Sequence, residues 1–273
     1  MFLCGKFKFD LSRPLVMGIV NVTPDSFSDG GCHISTWDAI AHAVKLIEDG
    51  ADILDIGGES TRPGAATVSE QEELDRVLYV IEGLRGISVP ISIDTYKPGV
   101  MRTALAAGAS MVNDINALQA EGALAVVAGS DAAVCLMHKQ GKPQTMQQRP
   151  EYLNVTDEVE NFLRERMVAA EIAGIARERI VIDPGFGFGK TLGHNLDLLR
   201  GLEAFLTLGA PVLAGLSRKS MLGAITGREV GDRMAASVAA ALLAVQRGAS
   251  IVRVHDVRET TDALKIWNAL NEE

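Results

Sequence analysis

Cysteine is scarce in this chain. Cys4, Cys32 and Cys135 are odd in number and lack the spacing of metal ligands. This excludes a disulfide framework and a thiolate zinc site, and fits a reducing compartment. Long apolar runs are also lacking: none reaches the roughly 20 residues that a membrane-spanning helix needs. The opening MFLCGKFKFD holds too short an apolar stretch for a secretory signal. The reading is therefore a cytoplasmic protein with no membrane partner, in which the glycosylation match Asn21-Val22-Thr23 is accidental. Excess positive charge is missing too. The net formal charge is −9, which argues against a general nucleic-acid or anionic-membrane surface. A small anionic substrate held by a few converging cations stays open. No composition break, low-complexity segment or long linker divides the chain, so residues 1–273 read as one domain.

One segment invites a wrong reading. IVIDPGFGFGKT, residues 180–191, ends like a phosphate-binding loop. Such a loop needs glycine five positions before its Gly-Lys-Thr, where the backbone curls around phosphate. That position is Pro184, which has a fixed φ and no N–H to donate. The match fails there. Attention moves to Asp183, which ends the apolar run Ile180-Val181-Ile182, and Lys190 is expected at the surface.

What the chain does have is a rhythm. Short apolar runs recur as PLVMGIVNV, ADILDIGG, VPISIDT, ASMVNDI, AAVCLM, RIVIDPG, APVLAGL and ASIVRVH. Amphipathic segments such as TWDAIAHAVKLIEDG and SEQEELDRVLYVIEGLRG lie between them. Glycine closes several of these helices just before a strand, at Gly50, Gly108, Gly209 and Gly248, where it adopts a left-handed cap cheaply. Strand–helix alternation implies a parallel sheet with right-handed crossovers. Eight such units favour a closed α/β barrel, a (β/α)8 TIM barrel, over an open doubly wound sheet. The first residues fall outside the repeat and are expected to form a short N-terminal hairpin over the barrel bottom.

Barrel chemistry sits where strands end. Asn21 ends the first run, and Asp55 and Glu59 follow in and after the second. Asp94 ends the third, and Asn113 and Asp114 interrupt the fourth. Met137 and His138 end the fifth and Asp183 the sixth. Ser217, Arg218 and Lys219 follow the seventh, and Arg253 and His255 belong to the eighth. Each has a bland reading, since a carboxylate before a helix is often only an N-cap. Their conjunction is more informative: carboxylates and amides come from the third, fourth and sixth runs, and cations from the seventh and eighth. Arg253 and His255 are two apart and face the same way on a strand. With Lys219 they make an anion site suited to a diphosphate. Two long loops, NVTPDSFSDGG and GGESTRPGA, look functional rather than merely connecting.

GIVNVTPDSFSDGG, ADILDIGGESTRPGA, ISIDTYKPGV, VNDINAL, IVIDPGFGFGKT, GLSRKSMLG and VRVHDV together resemble the bacterial dihydropteroate synthase family, in order and over nearly the whole chain. The resemblance implies a pterin-binding TIM barrel of folate biosynthesis, a target of sulfonamides. Such an enzyme condenses (7,8-dihydropterin-6-yl)methyl diphosphate with 4-aminobenzoate, releasing diphosphate and 7,8-dihydropteroate. Carried onto this sequence, Asp183, Asp94 and Asn113 would bind the polar edge of the pterin. Met137 and Phe188 would wall it, and Lys219 would lie between the two substrates. Arg253 and His255 would hold the diphosphate with Thr61, and Asn21 would help through Mg2+. Phe27, Arg62, Pro63 and Ser220 would frame the 4-aminobenzoate site with Lys219. Asp94, Lys219, Arg253 and His255 would be the catalytic set, in a dissociative reaction that needs no nucleophilic triad. Loop closure would keep water from the cation.

Members of the family are usually homodimers, and MAASVAAALLAVQ is apolar enough to allow one, although core packing explains it more simply. Met221 stands where the family commonly has an aromatic residue, and residues 139–154 resemble its variable fifth loop. Two alternatives share the pterin-facing residues. A pterin-dependent methyltransferase has no diphosphate to hold, and Ser217-Arg218-Lys219-Ser220 with Arg253 and His255 argue against it. An inactive pterin-binding paralogue would show a lost loop or anion ligand, and neither is seen.

Overall fold

The computed structural model describes residues 1–22, 36–60, 64–141 and 145–271. Ten strands occur among them. β1 (Phe2–Cys4) and β2 (Phe7–Phe9) form an antiparallel hairpin. β3 (Leu15–Asn21), β4 (Ile53–Gly57), β5 (Ile91–Asp94), β6 (Met111–Asp114), β7 (Ala133–Met137), β8 (Ile180–Asp183), β9 (Val212–Ala214) and β10 (Ala249–Val254) close into a parallel barrel. Closure is direct, because β10 pairs with β3 through Ile251–Leu15 and with β9 through Ala249–Val212. That pairing removes the open-sheet alternative. Each of the eight apolar runs supplies one barrel strand.

The period-2 pleat sorts every strand into two faces. Outward residues such as Val16, Leu54, Ile93, Val112, Val134, Ile182 and Val252 join the core beneath the helices. Burying one such side chain contributes about 1.5–3 kcal/mol, which is why β-branched runs hold these positions. The helices around them are α1 (Thr36–Glu48), α2 (Glu70–Gly83), α3 (Pro98–Ala107), α4 (Ala123–Ala128), α5 (Val155–Ile172), α6 (Leu192–Arg200), α7 (Ser220–Thr226), α8 (Met234–Gln246) and α9 (Val257–Asn271). Their ends carry local signals. Ser69 caps α2 by accepting from the Glu72 N–H, and Asn154 caps α5 by accepting from Thr156 and Asp157. The predicted glycine junctions all have positive φ; at Gly50 (103°) a Cβ would also stand 2.9 Å from Thr261 Cγ2.

Inward residues divide by height. Leu15, Met17, Ile53, Met111, Ala133, Cys135, Val181, Leu213 and Ile251 fill the lower barrel. The hairpin lies against this layer, as predicted, with Phe2 and Cys4 fully buried in it. Phe2 stacks on Phe9 at 5.9 Å, and the Gly5 N–H donates to the Asp131 carbonyl just before β7. The next inward residues up β4, β6, β8 and β10 are polar (Asp55, Asn113, Asp183 and Arg253), and the mouth is built around them.

Candidate active site

The mouth encloses a cleft of about 510 Å3. Asn21, Asp94, Asn113, Met137, Asp183, Phe188, Lys219, Ser220, Arg253 and His255 all line it. Phe27, Thr61, Arg62 and Pro63 lie outside the described residues.

Asp183 is the last residue of β8 and is buried. Its Oδ1 accepts from the Gly185 N–H at 2.7 Å. Burial pushes its carboxyl above the usual range, while the Lys219 ammonium and the Gly185 hydrogen bond act in the opposite direction. Arg253 reaches across the barrel from β10. Its Nε donates to Asp55 Oδ2 at 2.6 Å and its NH2 group to Asp94 Oδ2 at 2.8 Å. Burial disfavours this guanidinium, but the two carboxylates outweigh it and hold the charge. Asn113 Nδ2 donates to the same Asp55 oxygen at 3.0 Å. One buried carboxylate on β4 thus orients an arginine from β10 and an amide from β6. Asp94 and Asp55 each keep a second oxygen, Oδ1, buried without a hydrogen-bond partner. Burial raises the Asp94 carboxyl to about 7, against the opposing effect of Arg253.

Lys219 precedes α7 and donates to the Phe186 carbonyl, with its Nζ 4.9 Å from the Phe188 ring centre. Enclosure at the base of the cleft lowers its ammonium to about 8, although Asp183 favours the charge. His255 is paired to Ser217. Its backbone N–H donates to Ser217 Oγ at 3.2 Å, and the hydroxyl lies 3.0 Å from its Nδ1. The contact holds the imidazole in place with either ring tautomer, because the hydroxyl can donate or accept. Arg218 has φ +57° and holds Asp256 through its Nε at 3.2 Å and NH2 at 2.5 Å. Arg233 binds the Arg218 and Arg228 carbonyls, and both arginines border the cleft.

Several cleft residues had no predicted role. Asp55, fully buried behind its partners Arg253 and Asn113, is marked in the sequence only by its inward alternation with Ile53. Met146, buried in the cleft, comes from the fifth loop, where no periodicity marks it. That loop is tied to the β8 turn: Gln147 donates to the Gly187 carbonyl at 2.5 Å and Tyr152 to the Gly189 carbonyl at 2.9 Å. Lys190 corrects the expectation of a surface lysine. It is 3% exposed, because carbonyls of the glycine turn and the His138 ring wrap its ammonium.

Among the described residues, no group of three or more His, Cys, Asp or Glu could hold a metal ion by itself. The mouth offers a carboxylate on a polar slot, apolar walls and cations at one edge. This is the arrangement of a barrel enzyme, with its polar and charged side chains gathered at the strand ends.

Comparison with known proteins narrows the class. The pterin binding enzyme family matches residues 17–255. The dihydropteroate synthase of Escherichia coli K12 is 51% identical over 261 residues, covering 95% of this chain and 93% of that protein. The Xanthomonas albilineans dihydropteroate synthase solved with 4-aminobenzoic acid has a TM-score of 0.91 at 56% identity, covering 96% of this chain and 95% of that one. The same enzyme solved with 7,8-dihydropteroate has a TM-score of 0.89 at 53% identity, covering 97% and 96%. The chain belongs to the pterin-binding enzymes and, within them, to the dihydropteroate synthase family.

Proposed function

We propose that this chain condenses (7,8-dihydropterin-6-yl)methyl diphosphate with 4-aminobenzoate, and that the mouth residues divide the work as follows. Asp183 accepts two hydrogen bonds from the pterin amino group and adjacent ring N–H, since a carboxylate presents two acceptors at matching spacing. Asn113 and Asp94 complete that polar edge, and the unpartnered Oδ1 of Asp94 is an acceptor awaiting a donor. Met137 and Phe188 flank the ring. Lys219 meets the opposite side of the ring and faces the second substrate, whose site it borders with Ser220. Phe27, Arg62 and Pro63 are assigned to that second site, and Thr61 to the diphosphate end, from the resemblance alone. The single observation that carries the reading is Arg253, held between Asp55 and Asp94 beside His255 at the edge of the cleft.

The bond from the pterin CH2 to the diphosphate oxygen breaks first, and its electron pair leaves on the diphosphate. Arg253 and the His255 imidazole meet that developing charge. The ring delocalises the cation, and the Asp94 carboxylate opposes it with negative charge. The aryl amine nitrogen then forms the new C–N bond and releases a proton. Asn21, which lines the cleft, would hold Mg2+ through its side-chain oxygen, since Mg2+ takes few protein groups beside substrate phosphates. When bound, Mg2+ would neutralise leaving-group charge.

A homodimer is part of the same reading. Met234 and Leu243 of α8 remain exposed, although Ala240, Ala241 and Ala244 pack inward. No helix among the described residues is long and apolar enough to cross a membrane. A cytoplasmic location agrees with Cys4 and Cys135, which are buried free thiols. The test is an assay of diphosphate and dihydropteroate formation from both substrates with Mg2+. The expected result is both products in equal amounts; intact protein that forms neither overturns the assignment.

A further inference from the structure

Lys190 has no part in the reaction above, yet it is among the most enclosed charges in the molecule. Its three ammonium protons have three acceptors: the Gly185 carbonyl at 2.9 Å, the Phe188 carbonyl at 3.1 Å and His138 Nδ1 at 2.9 Å. The His138 carbonyl lies further off, at 3.5 Å. For Nδ1 to accept, His138 must be neutral with its proton on Nε2. Burial, and then the Lys190 charge itself, lower that imidazole to about 3.

The cage requires an unusual backbone. Gly185, Gly187 and Gly189 have φ of 71°, 81° and 63°. A Cβ at Gly185 would stand 1.8 Å from the His138 carbonyl oxygen, and one at Gly189 would stand 2.3 Å from that of Gln140. Only glycine fits either position. The inner face of this turn holds the ammonium, and its outer face serves the cleft. The Gly185 N–H orients the Asp183 carboxylate, the Phe186 carbonyl receives Lys219, and Phe188 carries its ring into the wall.

We propose that Lys190 is a positioning residue for the pterin end of the cleft: its caged ammonium fixes the glycine turn that aims Asp183, Lys219 and Phe188 at the ring. The inference rests on the pterin reading of that end. The lysine touches no substrate and acts through these three groups. Burial lowers this ammonium to about 7, with Asp183 favouring its charge, and the charged form in turn favours the ionised form of Asp183.

The test uses Lys190→Ala and Lys190→Met in the full chain. Circular dichroism and thermal melting first establish that each is folded. Affinity for a plain 6-hydroxymethylpterin is then measured by calorimetry, with KM for both substrates. Lys190→Ala is expected to bind the pterin about tenfold or more weakly, since small misplacement of a binding group is costly. KM should rise more for the pterin substrate, which meets all three groups, than for 4-aminobenzoate, which meets only Lys219 of them. Propylammonium has the four heavy atoms lost from the side chain and should restore pterin affinity; tetramethylammonium should not. If Lys190→Ala does not fold, Lys190→Met keeps the apolar stem, and the same KM split decides. Wild-type pterin affinity in a folded variant, equal rises in both KM values, or failure of propylammonium to restore affinity each overturn the proposal. Wild-type protein that binds no pterin overturns the functional reading instead, before any variant is made.

Discussion

The barrel floor and the barrel mouth use the same strands, one inward step apart. Val181 belongs to the floor and Asp183 to the mouth; Met111 pairs likewise with Asn113, and Ile251 with Arg253. Below, apolar side chains fill space against the hairpin, and shape alone holds them. Above, charges are held by each other: Arg253 by two carboxylates, and Asp55 by an arginine and an amide. The floor can lose volume without disturbing chemistry. The mouth cannot lose a charge without stranding its partner.

Arg253→Ala is the hardest blow to that contrast. It removes the leaving-group cation and leaves Asp55 and Asp94 unpaired in a buried site. Breaking such a pair costs about 3–5 kcal/mol. Loss of the charge that meets the leaving group should lower kcat/KM by about 100-fold or more. Denaturant titration and steady-state kinetics read the two effects separately. The variant should also lose binding of the pterin diphosphate more than of plain pterin. Unchanged stability would show that the mouth is not self-paired.

Phe2→Ala sharpens the contrast from the other side. Deleting a fully buried phenyl ring should cost about 3–5 kcal/mol. The folded fraction should keep kcat/KM within about twofold, because distant sites act independently. A large kinetic defect with full folding would mean that floor and mouth are coupled.

The mildest test is pH. Asp94 is raised to about 7 and Lys219 lowered to about 8. If the ionised Asp94 and the charged Lys219 are the working forms, kcat/KM for the pterin substrate follows a narrow bell between those values. Asp94→Asn should erase the acid limb and Lys219→Met the alkaline one. Stability should move oppositely on the acid side. A carboxyl whose folded pKa is raised stabilises fully below its unfolded value of 3.8 and loses that contribution as pH rises through about 7. Thermal melts across this window, on wild type and Asp94→Asn, give the sign.

Much of this plan is local and therefore legible in sequence. Most barrel strands are short apolar runs, and several carry an inward polar residue at a fixed parity near the end. Asp94, Asn113 and Asp183 are readable in that way without any tertiary knowledge. Asp55 is a different case, because its role depends on Arg253, 198 positions away. Lys190 is the opposite lesson. A lysine after glycines reads as a loop residue, and only the closed turn reveals carbonyls enough to bury it. Met146 reaches the cleft from an irregular loop, where neither period 2 nor period 3.6 gives a signal.

The hairpin that plugs the floor has a consequence for traffic. A barrel stoppered at one end is a vessel with a single neck. If the pterin lies deepest, against Asp183 and Asn113, it must enter before the aryl amine does. On the proposed assignment, diphosphate and product would leave through the same opening, and an aryl amine that arrived early would stand in the way of the pterin.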